Sequence, residues 1–156
     1  MRHAPQHKNA QAPENLTMRF EIPDDKKLVY ERLIAIRWGD MDAMGHVNNA
    51  VYFRYMETLR IDWFNHIGVR PDGGGSGPII VNAFCSFIKQ LQYPGEVLAR
   101  HYVGTLGRSS FDTSATLERV DMPGVIHATG GATVVWSDVR AQKSVPLPEH
   151  IRARLG

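Results

Sequence analysis

The densest group of potentially reactive side chains lies in residues 37–55, RWGDMDAMGHVNNAVYFRY, where Asp40, Asp42, His46, Asn48 and Asn49 fall close together. A carboxylate can attack a carbonyl carbon, or take a proton from a water that does so. An imidazole can give or take a proton near neutral pH. The stretch after this cluster reads as helix, and a helix start offers unpaired N–H groups and the positive end of the helix dipole. Such groups are suited to hold the oxyanion that forms when a carbonyl is attacked. A Ser-His-Asp arrangement is not indicated, because no G-x-S-x-G elbow occurs. The histidines are scattered and only one cysteine is present, so neither a metal nor another cofactor is expected.

Each of these residues also has a plainer role. Asp42 can cap N–H groups of its own turn. Asp40 reads as a turn or surface acid paired with Arg37. His46 can fix the loop through a hydrogen bond from its ring to the backbone. Asn48 is suited to cap the helix, and Asn49 matters through its backbone. Tyr52 and Tyr55 read as wall or core aromatics. Glu57 reads as a partner of Arg54 or Arg60, or as a second carboxylate in a neighbouring pocket. Cys85 reads as a small buried apolar residue.

Such a cluster works only if rigid elements aim it. Residues 28–38, LVYERLIAIRW, are rich in β-branched and aromatic side chains and predict a strand. Residues 49–67 predict a helix: Tyr52, Met56, Leu59, Trp63 and Ile67 recur at helical spacing. Gly68 is placed to end it. Val51, Phe53 and Phe64 widen the apolar surface beyond one stripe, so the helix is expected to be enclosed. Residues 69–77 predict a flexible loop. Four strands are predicted at 78–91, 96–106, 110–120 and 125–138, separated by turns at 93–95, 107–109 and 121–124. In the third, Phe111, Ala115 and Leu117 alternate with Asp112, Ser114, Thr116 and Glu118. Turns this short exclude parallel crossovers and predict an antiparallel meander. Gly130-Gly131 predicts a bulge or sharp bend. Residues 149–155 predict a short helix. A strongly curved antiparallel sheet wrapped around one long helix is the economical arrangement, an α+β hotdog fold.

The chain has 156 residues, suited to one domain, expected at 18–156 behind a disordered polar tail at 1–17. Its formal net charge of +2 gives no electrostatic case for a nucleic-acid partner. No apolar stretch is long enough to span a bilayer, and the tail lacks the apolar core of a signal peptide. A single cysteine fits a reducing, cytoplasmic setting.

The run Asp42-Ala43-Met44-Gly45-His46-Val47-Asn48-Asn49, followed by Tyr52, resembles the D-x-x-x-H-V-N-N-x-x-Y signature of the 4-hydroxybenzoyl-CoA thioesterase-like, or acyl-CoA thioesterase, family. The likeness runs from about residue 30 to about residue 138. It implies hydrolysis of an acyl-CoA thioester to the free acid and coenzyme A. On that resemblance Asp42 is the catalytic carboxylate, the Asn49 backbone N–H polarises the carbonyl, and His46 has a supporting part. Gly45, Asn48 and Tyr52 would line the substrate site. Arg108, Ser109 and Ser110 would contact the pantetheine and phosphates of coenzyme A; read from the residues themselves, Arg108 in its Gly/Ser turn and Lys89 or Arg100 at strand positions could supply the positive groups that phosphates need. The resemblance also implies a homodimer or homotetramer with sites at the subunit interface. Two alternatives remain: a hotdog dehydratase or hydratase on acyl thioesters, whose acid–histidine motif is spaced differently, and a non-catalytic acyl-thioester-binding protein.

Overall fold

The computed structural model describes residues 22–69 and 75–156. The expected tail and the centre of the expected 69–77 loop lie outside the described residues. The elements are β1 (Lys27–Ile36), α1 (Asn49–His66), β2 (Ser76–Phe87), β3 (Gly95–Leu106), β4 (Ser110–Arg119), β5 (Ile126–Asp138), β6 (Lys143–Ser144) and α2 (Glu149–Leu155). All strand pairs are antiparallel, in the order β1-β3-β4-β5-β2, with β6 paired to the end of β5. The helix lies against this sheet as its sequence requires. Tyr52, Tyr55, Met56, Leu59, Trp63 and Phe64 are buried, and an Arg32–Asp62 ion pair ties α1 to β1. Gly68 takes φ +84°, the left-handed conformation that ends a helix without a Cβ penalty. Among the described residues no helix is long and apolar enough to cross a membrane.

The meander expectation needs correction. β3, β4 and β5 form a meander, but β2 lies beyond β5 at the sheet edge. Short turns exclude parallel crossovers; they do not exclude a segment that skips along the end of the sheet. Residues 88–94 cross three strand spacings, roughly 14 Å, which seven residues span easily. The helix explains the outcome. β1 and β2 flank α1 in the chain and go to opposite edges, so the sheet curls around it.

The core has two parts. One, at the β1 C-terminal end, joins Ile36, Val47, Tyr52, Tyr55, Met56, Leu59, Leu91 and Val97. The other joins Trp63, Phe64, Val103, Phe111, Val134, Trp136 and, from α2, Ile151 and Leu155.

Gly130-Gly131 is also not the bulge expected: the β2–β5 register runs unbroken there and slips between Ile80 and Asn82 instead. The two glycines are needed for space. A Cβ on Gly130 would come 2.5 Å from the Met56 sulfur and 2.6 Å from the Phe84 carbonyl oxygen. One on Gly131 would meet the Phe84 ring at 2.6 Å. Gly130→Ala should therefore cost about 1–3 kcal/mol, as overpacking does, read as a shift of the urea midpoint at unchanged slope.

Candidate active site

Between β1 and α1 the chain makes a short 3-10 turn at Trp38–Asp40 and then a loop closed by a Met41–Val47 bridge. The Asp42 N–H donates to the His46 carbonyl at 2.8 Å, and the Gly45 N–H donates to the Asp42 carbonyl at 3.1 Å. Gly45 takes φ +78°, which lets the loop reverse. Asp42 Oδ1 accepts from the N–H groups of Met44 at 2.9 Å and His46 at 3.3 Å. One carboxylate oxygen is thus spent on the turn. The other, Oδ2, has no protein partner among the described residues. The plain capping role therefore occupies one carboxylate oxygen and leaves the second uncommitted.

Asn48 is the helix cap: its side-chain oxygen accepts from the Ala50 N–H at 2.9 Å. Its own N–H donates to the Asp40 carbonyl. The Asn49 N–H, first in the helix, has no partner among the described residues and stands at the positive end of the dipole. Asp42, Met44, His46, Val47, Asn49, Tyr52, Phe87 and Gln90 line a cavity of about 370 Å³. The loop is fixed by the His46 backbone rather than by its ring; the half-buried ring borders this cavity.

Asp40 is not paired with the Arg37 side chain. Its Oδ2 accepts from the Arg37 backbone N–H at 2.8 Å and from the Tyr55 hydroxyl at 2.6 Å. Burial, reinforced by the bond to Asp40, holds the Tyr55 hydroxyl well above the usual phenol range. The Tyr52 hydroxyl accepts from the Leu91 N–H at 3.0 Å, and its ring stands edge-on to Phe87. The Leu91 carbonyl in turn accepts from the Val47 N–H at 2.8 Å. Residue 91 therefore splints the loop to the helix. Phe87, Gln90 and Leu91 carry no sequence signal for this site; the end of β2 brings Phe87 there, and the crossing segment brings Gln90 and Leu91. Glu57 pairs with Arg54. Cys85 is half-buried, and burial pushes its thiol up to about 11, which removes it as a nucleophile near neutral pH.

The residues expected around coenzyme A separate into two places. Arg108 and Ser109 lie in the β3–β4 turn, and Ser110 opens β4. Asp42 follows β1, whose last residue Ile36 pairs with Gly95 at the opposite end of β3. The two places are about 36 Å apart along the strand. Arg108 is exposed, and its carbonyl accepts from Leu147 and Arg152. Arg100 is not available as a phosphate ligand: it bridges Glu118 and Glu31, both at 2.8 Å. Glu118 is held below the usual carboxylate range by that guanidinium and by the Gly124 N–H. Lys89 is exposed, in the crossing segment beside Gln90 at the Asp42 end.

A family model described as the thioesterase-like superfamily matches residues 36–155. The YsmA protein of Bacillus subtilis, which is uncharacterised, is 25% identical over 112 residues, covering 72% of this chain and 75% of its own. Among solved structures, PA2801 of Pseudomonas aeruginosa, named as a candidate thioesterase, is 34% identical over 83% of this chain and 100% of its own, with a TM-score of 0.79. A candidate acyl-CoA thioesterase of Xanthomonas campestris, XC229, is 30% identical over 78% of this chain and 100% of its own, with a TM-score of 0.66.

Proposed function

Because this chain belongs to the thioesterase-like superfamily, and so is a thioester hydrolase, we propose that it cleaves acyl-CoA esters to the free acid and coenzyme A with Asp42 as the catalytic carboxylate. The observation that carries the reading is the pairing, in one cavity, of an anchored carboxylate whose second oxygen is free with an unpartnered helix N–H at Asn49. The substrate carbonyl oxygen accepts from the Asn49 N–H, and charge developing on it is stabilised by the helix start. Asp42 Oδ2 then either attacks the carbonyl carbon, expelling the coenzyme A thiolate and leaving an acyl anhydride that water hydrolyses, or takes a proton from the water that attacks, the C–S bond breaking as the thiolate leaves with a proton. His46, at the cavity wall, supports the loop. Single turnover in oxygen-18 water separates the two routes, since label enters Asp42 only if it is the nucleophile. The test of the reading is a panel of acyl-CoA esters, monitored by release of the free thiol. Turnover of none of them would sink it.

The reading places this activity in one domain, residues 18–156, in a reducing, cytoplasmic setting, and in an isologous dimer. The two sheet edges differ. β1 carries Lys27, Glu31 and Arg32, whereas β2 carries no charged residue and exposes Ile79, Ile80, Val81 and Phe87. An uncharged apolar edge invites pairing. Two-fold pairing of β2 reverses strand direction, and so brings the partner's β3–β4 turn to the same end of the joined sheet as Asp42. That supports a composite site holding coenzyme A between the two chains, and a tetramer of such dimers is compatible with it. Arg108→Ala should then raise KM with a smaller change in kcat, an effect that shrinks as salt rises. Mixed with Asp42→Asn subunits, it should recover part of the lost activity. Sedimentation at micromolar concentration should show no appreciable monomer; a fully active monomer, or no recovery on mixing, would refute the shared site.

A further inference from the structure

A second cavity, of about 270 Å³, lies between α1 and the concave face of the sheet, bordered by Ala50, Phe53, Met56, Arg60, Ala83 and His101. It begins one residue beyond Asn49 on the helix and runs to Arg60, roughly 15 Å at the helical rise per residue. Ala50, Phe53, Met56 and Ala83 give it an apolar side. Its far end is polar in an unusual way. His101 is 2% exposed, packed on the Trp63 ring at 4.8 Å, and neither ring nitrogen has a hydrogen-bond partner among the described residues. A buried polar atom left unmatched is costly, so it implies a missing partner. Arg60 makes no ion pair among the described residues; Arg54 and Glu57, which also border the cavity, are paired with each other. The three together leave a surplus positive charge at Arg60. Burial lowers the Arg60 guanidinium from its usual range, against the attraction of Glu57. Burial, and then Arg60, push His101 down to about 3, so the ring is neutral and offers one N–H.

We propose that this cavity receives the far end of the acyl group and that this end is a carboxylate, making ω-carboxyacyl-CoA esters the substrates. The inference rests on the thioesterase reading above. With the thioester carbonyl at the Asn49 N–H, an extended acyl chain runs along the apolar helix face past Ala50, Phe53 and Met56. Its terminal carboxylate accepts from Arg60 and from the His101 N–H, balancing the charge of the first and matching one ring nitrogen of the second. A plain alkyl end meets neither.

The test compares dodecanedioyl-CoA with dodecanoyl-CoA on the intact protein. The ω-carboxy ester should be favoured at least about tenfold in kcat/KM, the scale of one charge-assisted hydrogen bond. Arg60→Met should erase that preference by lowering kcat/KM for the ω-carboxy ester far more than for dodecanoyl-CoA, and Arg60→Lys should keep much of it. Calorimetry provides a readout independent of turnover: dodecanedioate should bind more tightly than dodecanoate, and Arg60→Met should remove the difference. Equal turnover of both esters by the wild type, or a preference untouched by Arg60→Met, would overturn the carboxylate end and leave the thioesterase reading intact. Hydrolysis of neither ester, with dodecanedioate still preferred in binding, would do the reverse. Acetate binding as tightly as dodecanedioate would assign the site to a free anion and overturn the acyl-end reading.

Discussion

Asp42→Asn leaves at most about one hundredth of the wild-type kcat, the loss expected when a carboxylate acting as base or nucleophile is removed, with the melting temperature nearly unchanged. The two halves of this expectation come from the two oxygens. In the native loop Oδ1 accepts from the Met44 and His46 N–H groups. An asparagine carbonyl oxygen can take over both bonds, so the loop keeps its shape. The atom that replaces Oδ2 is then an NH₂ group, which can neither attack a carbonyl nor accept a proton. Asp40→Asn is the control. Its carboxylate is committed to the Arg37 N–H and the Tyr55 hydroxyl, so its loss should cost about 0.5–1.5 kcal/mol of stability and little of kcat. Steady-state kinetics and thermal denaturation of both variants decide the matter. An inactive Asp40 variant beside an active Asp42 variant would reverse the assignment.

Trp63→Ala should cost about 3–5 kcal/mol, the range for truncating a buried tryptophan. Trp63 is 1% exposed and touches Phe64, His101 and Phe111. Its ring therefore joins helix, β3 and β4 in the part of the core remote from Asp42. The walls are a sheet and a helix already packed together, which cannot collapse far into the space left behind. For a chain of this size the melting temperature should drop on the order of 10 °C. Because the ring lies outside the Asp42 cavity, kcat well below the new melting point should stay near wild type for short acyl groups. A stability loss under about 1 kcal/mol would mean that the core repacks around the missing ring, contrary to interiors packed as densely as crystals.

These two sites also mark what the sequence made legible. The helix boundaries were clear, because apolar spacing, an asparagine cap and a terminal glycine agree; 49–67 was expected and Asn49–His66 is found. The turn carrying Asp42 was clear for a similar reason, since the bonds that reverse it run among Asp42, Met44, Gly45 and His46, whereas its attachment to Leu91 was not. The neighbour of β2 was not. Alternation tells which side of a strand is apolar but not which strand lies beside it, so β2 was set next to β3 when its partner is β5. The paired glycines suggest a bulge or bend by local reasoning; no bulge forms there, and what requires them is the approach of Met56 and Phe84, far off in the chain. Arg100 was offered as a phosphate ligand because its two carboxylate partners, Glu31 and Glu118, meet it only across three strands.

The Leu91 splint gives the chain an order of events. All the chemistry-bearing residues of the loop are synthesised together, and their signature is complete by residue 52. Yet the bonds that hold them, from the Leu91 N–H to Tyr52 at a separation of 39 residues and from Val47 to the Leu91 carbonyl, wait for the second strand and the crossing segment to be laid down. Closing a loop of that length costs entropy before any contact repays it. The loop carrying Asp42 is thus encoded early and locally but becomes rigid late, and a nascent chain that already carries every residue of the motif does not yet hold them in place.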